Sequence, residues 1–433
     1  MLVLQKFGGS SVADLDRIRA CAQRCLATVR EGHDLVVVVS AMKGETNRLI
    51  ALANALVTGA EGDEAERGPY VAAAKRSPEH DREMDQLVAT GEKVSAALLA
   101  MAIGNMGGRA VSLVGHQLGM HTDRNFTKAK ITDISQQRIR DELGRGRVVV
   151  CAGFQGIDDR GDITTLGRGG SDTSAVALAA ALDADVCEIL TDVDGVYTTD
   201  PRVVPRARKV SHVSYDEMIE LASLGAKVLQ IRSVAFAKKY GVRVHVRSSL
   251  NHNPGTFIVS PEEIQRLRAE PTKSMEAIEV SGIALQRDEA KVTLVGVPDV
   301  PGIIAEVFGA LGAADIAVDM IIQNASRNDR TDITFTVPDA DVDAATGVLD
   351  GLKPGGEAVT LETDRAIAKI SVVGLGLRSH AEVAARAFAV LASENINVQM
   401  VSNSELKMSV VVDERYGELA LRSLHTAFGL DAP

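Results

Sequence analysis

Residues 35–40 read LVVVVS, with four consecutive valines and no polar position until the closing serine. A strand with one wet face alternates apolar and polar residues, so an unbroken β-branched run implies a strand covered on both faces, as in a parallel sheet flanked by helices. Working outward, ADLDRIRACAQRCLATVREG at 13–32 has apolar residues at three-and-four spacing and a closing glycine. That pattern predicts an amphipathic helix. Residues 2–7 predict a short strand before it. The alternation returns in a helix around 92–104, AVSLVG at 110–115, RVVVCAG at 147–153, a helix around 172–182 and VCEILTDV at 186–193. With VRVHVRSS and GTFIVS as late strands, an α/β domain with a largely parallel sheet is expected over 1–265. Inside it, 59–82 is rich in Glu, Gly, Arg and Asp and reads as an exposed loop or a mobile helical excursion.

After position 270 the texture changes. KVTLVGVPDVPGIIAEVFGALGAADIAVDMIIQN at 291–324 is echoed by KISVVGLGLRSHAEVAARAFAVLASENINVQMVSN at 369–403. Phe308, Leu311, Ile316, Val318 and Met320 recur 80 positions later as Phe388, Leu391, Ile396, Val398 and Met400. Each copy reads strand, glycine-containing loop, helix, strand, and TDITFTV or LKMSVVV adds a further strand. Two βαββ units are expected over 266–345 and 346–433, a pseudo-twofold pair packed on each other or on a partner chain. The VPDVPG loop places free backbone N–H groups and Asp299 at a helix start, where a small zwitterion could be held. Spacing alone favours a small-ligand or dimer module there.

The chain has 433 residues, enough for two or more domains. Its 47 basic against 58 acidic residues give a net charge of -11, which disfavours general affinity for nucleic acid or an anionic membrane. No leader pattern is visible, since Gln5 and Lys6 break the opening apolar run, and no apolar stretch nears the roughly 20 residues that span a bilayer. Cys21, Cys25, Cys151 and Cys187 are few and scattered, as in a reduced, cytoplasmic protein; Cys21 and Cys25, one turn apart on a helix, read as packing residues, with a metal site as the outside alternative. His116 and His121 have no metal-ligand spacing, and no metal site is expected.

Chemistry concentrates where strand ends should meet helix starts, the edge that holds ligands in open α/β sheets. KFGGSS at 6–11 offers a lysine and paired glycines, either a phosphate turn or a tight strand-to-helix turn. It matches neither a P-loop nor a dinucleotide fingerprint. LGRGGSDTSA at 166–175 sets three glycines around Arg168 before Ser171, Asp172, Thr173 and Ser174. Helix capping alone explains one of those side chains and leaves the glycines and the arginine unexplained. VSAMKGETN at 39–47 brings Ser40, Thr46 and Asn47. ATGEKVSA at 89–96 brings Glu92, either a first-turn acid favoured by the helix dipole or a carboxylate for a substrate ammonium. TDVDGVYTTDPR at 191–202 adds Asp192, Asp194, Tyr197 and Asp200, and Lys227 follows in GAKVLQIR. Those carboxylates either form ordinary turns or orient water around Mg2+. Cations, exposed N–H groups, hydroxyls and carboxylates together are what phosphoryl transfer requires.

These stretches, with GMHTD at 119–123, LASLGAKVLQ and the duplicated units, resemble in order the bacterial aspartate kinases of the amino acid kinase fold, with tandem ACT regulatory domains. The resemblance covers nearly the whole chain and distinguishes it from kinases of acetylglutamate, glutamate or carbamate. It implies that Lys6 neutralises the transferring phosphoryl, supported by Gly8, Gly9 and Ser10, and that Asp172 organises Lys6 and the reacting groups. Ser40, Thr46, Glu92 and Ser171 would hold the amino acid, with Arg168 on its α-carboxylate. Thr191, Asp192, Tyr197, Asp200, Arg202 and Lys227 match the family's nucleotide region.

The implied reaction is L-aspartate plus Mg2+ and ATP giving 4-phospho-L-aspartate and ADP, the entry to lysine, threonine, methionine and diaminopimelate. The implied feedback effectors are lysine, threonine or both, at Asp299, Pro301, Gly302, Ile303, Gln323 and Asn324, with Asn403 and Ser404 as counterparts in the second unit. Relatives reading ISTSEIKIS carry threonine where this chain has Asn403, and KFGGTS is KFGGSS here. With no homoserine dehydrogenase extension after Pro433, the monofunctional type is expected. GAKVLQIR resembles the lineage in which a separate regulatory subunit is made from an internal start, for which Met275 is a candidate, so a homo-oligomer or an assembly with an ACT subunit is expected. A different-class reading is an amino-acid sensor that keeps the kinase fold without turnover; intact Lys6, Glu92, Arg168 and Asp172 argue against it.

Overall fold

A computed structural model describes residues 1–58, 77–224, 228–267, 279–324, 326, 328–352, 354–356 and 360–431. Met275 and Lys227 lie outside these residues, as does most of the expected loop at 59–82. The chain divides into two compact units. The first holds Met1–Val196, Lys209–Ala222 and the described residues of 227–272; the second holds Tyr197–Arg208, Ser223, Leu224 and the described residues of 273–433.

The first unit is built on strands β1 (Leu2–Phe7), β2 (Asp34–Val39), β3 (Ala110–Leu113), β6 (Val148–Ala152), β9 (Val186–Thr191), β10 (His212–Ser214), β11 (Val244–Ser248) and β12 (Thr256–Val259). They form one sheet in the order β10-β12-β11-β9-β1-β2-β6-β3, parallel except between β11 and β12. The valine run behaves as its composition requires: Val36 to Val39 are fully buried at the middle of the sheet. On one face Ile18, Cys21 and Cys25 of the helix Leu15–Arg30 pack with Leu99 and Ile103 of the helix Thr90–Asn105. The former starts at Asp14, whose carboxylate accepts the Arg17 N–H at 2.8 Å. The alanine-rich helix Gly170–Leu182 is buried along almost its whole length. All four cysteines are free and buried, and burial pushes the Cys21 thiol up to about 12, so they serve as apolar packing groups.

Two features escape periodicity. A second sheet, β5-β4-β7-β8, comprises β4 (Met120–Thr122), β5 (Ile131–Ile134), β7 (Gln155–Ile157) and β8 (Ile163–Thr165), each too short to display an alternation. A helix at Pro78–Val88, capped by Ser77, begins inside 59–82, the stretch expected to be an exposed loop or a mobile helical excursion, and runs beyond it. Glu79–Asn105 is apolar enough by length and composition to cross a bilayer, but it breaks between Val88 and Thr90 and sends Leu99 and Ile103 into the core.

The second unit carries two four-stranded antiparallel sheets. One is ordered β15-β16-β14-β17, from β14 (Glu289–Pro298), β15 (Ile321–Gln323), β16 (Arg330–Pro338) and β17 (Thr360–Asp364). The other is ordered β13-β18-β20-β19, from β13 (Glu279–Gln286), β18 (Ile367–Leu375), β19 (Met400–Asn403) and β20 (Lys407–Asp413). A βαββ unit leaves one edge of its long strand unpaired, and here each copy covers that edge with a fourth strand. Those fourth strands do not follow a linear cut at 345: β17 closes the first sheet from beyond it, and β13 closes the second from ahead of the first unit. The repeated apolar positions match in burial, with Leu311 and Leu391 at 0% exposure and Met320 and Met400 at 6%. Met320, Ile367, Met400 and Val411 form a cluster shared by the two sheets, beside a buried Lys369 paired to Glu289 and Asp319. The two units therefore pack on each other within the chain.

Tyr197–Arg208 belongs to this second unit. Val204 is buried with Ile283, Ile370 and Leu424, the Thr198 carbonyl accepts the Ile283 N–H at 2.7 Å, and the Thr198 hydroxyl lies 2.9 Å from His425 Nε2.

Candidate active site

The parallel strands β1, β2, β6 and β9 bring their carboxyl ends to one edge. β1 delivers Lys6, only 8% exposed, and then Gly8 and Gly9. Across from it the chain turns at Gly169, whose φ of +71° favours glycine and where a Cβ would fall 1.7 Å from Gln230 Cγ. That turn opens the helix Gly170–Leu182 and sets Asp172 in its first turn, where the helix dipole favours a carboxylate. Lys6 Nζ and Asp172 Oδ1 lie 2.6 Å apart with both side chains almost fully enclosed. Removing one partner would strand a buried charge, at a cost of about 3–5 kcal/mol. Gly9 is held by space: a Cβ there would lie 2.9 Å from the Ala41 carbonyl oxygen. Gly8 is buried with its N–H on the Leu190 carbonyl at 3.1 Å and Gly9 is half-buried, so the pair makes a tight turn directly after the lysine, which both readings of KFGGSS allow.

Glu92 enters the same edge from the first turn of the helix Thr90–Asn105. Its Oε1 accepts the Ala41 N–H at 2.9 Å, while Oε2 is buried with no hydrogen-bond partner among the described residues. Burial, partly offset by the backbone hydrogen bonds, raises its pKa to about 7. A carboxylate 3% exposed with one free oxygen is more than a dipole-favoured acid, which would sit in water. Ser40 follows β2 with its N–H on the Phe7 carbonyl at 3.1 Å, and Thr46 is half-buried in the next helix. Ser171 is buried beside Asp172, and a Cβ on Gly153 would lie 3.0 Å from its Cβ. Arg168 is exposed and has no side-chain hydrogen bond or ion pair among the described residues. Ser10 is half-buried in the short turn Gly9–Val12.

The expected nucleotide positions divide. Thr191 ends β9 and its hydroxyl donates to Asp192 Oδ1 at 3.0 Å; Asp192 is exposed. Tyr197, Asp200 and Arg202 belong to the second unit, where Arg202 forks onto the Asp200 carboxylate with its shortest contact at 2.7 Å. That pair holds the Asp200 carboxyl below its ordinary range. Asp194 is paired to Lys209 at 3.3 Å.

Two residues with structural work near this edge are missed in reading the sequence. Asp85 is fully buried and accepts three hydrogen bonds from Thr127 and Thr165. Arg232 donates to the carbonyls of Leu166 and Ala129. The only hint of the former is an acid beside Met84 and Val88 on the apolar face of its helix.

Residues 1–248 match the model of the amino acid kinase family, and residues 292–351 and 370–428 match an ACT domain. The chain belongs to the amino acid kinase family. It is 52% identical over 432 residues to an aspartate kinase of Pseudomonas fluorescens, covering 100% of this chain and 98% of that one. It is 47% identical to an aspartokinase of Helicobacter pylori, with full coverage of both. The structure of E. coli aspartokinase III with aspartate and ADP superposes with a TM-score of 0.76 at 27% identity, covering 99% of each chain.

In the first ACT domain, Asp299, Pro301 and Gly302 are exposed, and the helix from Ile303 starts at Gly302 with no side-chain cap. Gln323 and Asn324 are exposed at the end of the edge strand β15, and the Asp299 N–H is taken by the Asp329 carbonyl at 2.9 Å. Ile303 itself is buried. In the second ACT domain Asn403 and Ser404 are exposed, and Ser404 closes a tight turn onto Lys407. There Leu377 turns inward, 2% exposed, in a short helical turn ahead of the helix Ala381–Ser393.

Proposed function

We infer that this chain transfers the γ-phosphoryl of ATP to the β-carboxylate of L-aspartate, giving 4-phospho-L-aspartate and ADP, under feedback control through its ACT domains. The observation that carries this reading is the Lys6–Asp172 pair sharing one sheet edge with a buried, half-satisfied Glu92, in a chain that aspartate kinases match from end to end. Glu92 Oε2 is the acceptor for the substrate ammonium. Arg168, free of partners among the described residues, grips the α-carboxylate, while Ser40, Thr46 and Ser171 supply hydroxyls around it. The β-carboxylate is ionised near neutral pH and attacks without a strong base. Asp172 therefore acts by orienting Lys6, whose ammonium offsets charge on the moving phosphoryl.

The nucleotide fits the residues present. Gly8 and Gly9 turn the chain directly after Lys6, with Ser10 half-buried next to them, and Thr191, Asp192, Tyr197, Asp200, Arg202 and Lys227 are assigned to the nucleotide by their match to the family pattern. The described residues contain no cluster of three or more His, Cys, Asp or Glu side chains, which suits an Mg2+ carried on phosphate oxygens, with Asp192 to orient its waters. When bound, that ion neutralises phosphate charge.

In this reading 1–265 is the catalytic domain and 266–345 and 346–433 are regulatory units with exchanged fourth strands. Asp299, Pro301, Gly302, Ile303, Gln323 and Asn324 receive lysine, threonine or both, and Asn403 and Ser404 mark the counterpart site. The protein works in the cytoplasm as a homo-oligomer or with a separate ACT subunit. The test is coupled ADP release with Mg2+-ATP and L-aspartate, repeated with lysine, threonine and the pair. Aspartate-dependent release suppressed by an effector is expected. No aspartate-dependent release across a broad concentration range would return the chain to a sensor.

A further inference from the structure

Arg168 poses a problem of placement. Its side chain has no partner among the described residues, so what the structure fixes is the loop backbone from which the guanidinium extends. We propose that Asp85 and Arg232 form a two-sided clamp on that backbone and act as positioning residues that set the affinity for the amino-acid acceptor. This rests on the reading of Arg168 as the α-carboxylate ligand.

The loop leaves β8 at Thr165 and reaches the helix Gly170–Leu182 through Leu166, Gly167, Arg168 and Gly169. Residues 127–129 run beside its base, and the Ala129 N–H donates to the Thr165 carbonyl at 2.9 Å. From one side, on the helix Pro78–Val88, Asp85 Oδ2 accepts the N–H groups of Thr127 at 2.9 Å and Thr165 at 2.8 Å. Its Oδ1 accepts the Thr165 hydroxyl at 2.6 Å. From the other side, on the helix Ile231–Tyr240, Arg232 Nη1 donates to the Leu166 carbonyl at 2.9 Å and Nη2 to the Ala129 carbonyl at 2.8 Å. An acid takes the donors of these two strands of backbone and a base takes their acceptors. Neither is met by the other segment, because the one backbone hydrogen bond between the segments among the described residues, Ala129 N–H to the Thr165 carbonyl, uses one group from each.

The geometry is held against a local preference. Thr127 sits at φ +67°, a conformation that β-branched residues avoid, and Asp85 holds its N–H there. The exit of the loop is secured separately, by Asp172 and Thr173 N–H groups on the Gly169 carbonyl and by the Ser174 hydroxyl on the Phe154 N–H. Asp172 and Lys6 are therefore anchored independently of the clamp. Loosening the clamp should displace Arg168 and leave the phosphoryl side in place.

The clamp depends on shape rather than charge. Burial pushes the Asp85 carboxyl up to about 6, with the nearby Asp81 adding to the rise. A protonated Oδ1 would donate to the Thr165 hydroxyl while Oδ2 keeps both N–H groups. Asparagine satisfies the same set, its carbonyl taking the two N–H groups and its amide N–H facing the hydroxyl.

The experiment is steady-state kinetics in both substrates on the full chain, with melting temperature recorded for each variant. Asp85→Ala and Arg232→Met should each raise KM for aspartate about tenfold or more, with KM for ATP within about twofold. Asp85→Asn should recover most of the loss, and the double variant Asp85→Ala/Arg232→Met should fall short of the product of the singles. Arg168→Ala is the control. If it raises KM for aspartate while Asp85→Ala and Arg232→Met lower only kcat or melting temperature, the clamp is overturned and the substrate reading stands. If Arg168→Ala leaves KM for aspartate unchanged, the substrate reading itself falls. Should Asp85→Ala fail to fold, Arg232→Met against Arg232→Lys carries the test, since lysine reaches one carbonyl and should give an intermediate KM.

Discussion

The charged residues at the centre of the kinase edge and most of the expected effector residues of the ACT pair are presented in opposite ways. Lys6, Glu92 and Asp172 are at most 9% exposed, each in contact with protein groups. Asp299, Pro301, Gly302, Gln323, Asn324, Asn403 and Ser404 stand in solvent, on loops and strand ends. Chemistry on a phosphoryl group needs dipoles and charges aimed beforehand in a dry site, because reorganising them during the reaction would add to the barrier. A regulatory site gains from being unfinished, since an effector changes a conformational equilibrium only by binding one state better than another. Within the ACT pair the contrast repeats on a smaller scale. Val300 in the first loop is 51% exposed, whereas Leu377 in the second is 2% exposed and seals its own domain.

The strongest way to break this contrast is Asp172→Ala. It should lower kcat by about a thousandfold while circular dichroism stays native, because the buried lysine loses its organiser. Near-normal turnover would show that the buried pair is only structural. Glu92→Gln comes next, with KM for aspartate rising by about a hundredfold, as expected when a charged hydrogen-bond partner is lost in a dry site.

The titration of Glu92 sharpens the same point. Its pKa in the free protein is raised to about 7, so the proton stabilises the folded form and the ionised form that binds ammonium is lost as pH falls through 7. KM for aspartate should therefore climb about tenfold per pH unit below that value, and Glu92→Gln should flatten the profile. A flat wild-type profile would remove Glu92 from the ammonium site. For stability the sign is opposite: the contribution of this group is full below about pH 4.5 and is lost as pH rises through about 7.

Smaller effects are expected in the ACT pair. Asp299→Ala should raise the inhibitor concentration for half-inhibition about tenfold, with kcat within about twofold of the parent, a coupling of ordinary size. Unchanged inhibition would move the effector elsewhere. Asn403→Ala should shift inhibition by less than about threefold, since the second loop is closed on itself and has less to lose. Equal effects of the two variants would dissolve the asymmetry between the domains.

Much of this was legible in the residues. The valine run announced a doubly covered strand, the 80-residue echo announced a duplication, and the glycine, lysine and carboxylate motifs at strand ends announced the edge where Lys6, Glu92 and Asp172 gather. The four-stranded sheet at 120–165 was not, because strands of three or four residues carry no measurable period. Nor was the exchange of β13 and β17, since pairing partners are chosen by an open edge and not by proximity in the chain.

By itself the sequence determined the fold class, the duplication and the chemical inventory, because periodicity, turn residues and motif order are local properties of a chain. Tertiary structure alone decided that Glu92 would be buried with one oxygen free, that Val204 would join an ACT core, and that Asp85 and Arg232, on two different helices, would both bond backbone at Thr165 and Leu166. Those outcomes depend on which surfaces exclude water and on contacts between residues far apart in the chain, 51 positions for Glu92 and Ala41 and 103 for Arg232 and Ala129, which leave no trace in spacing.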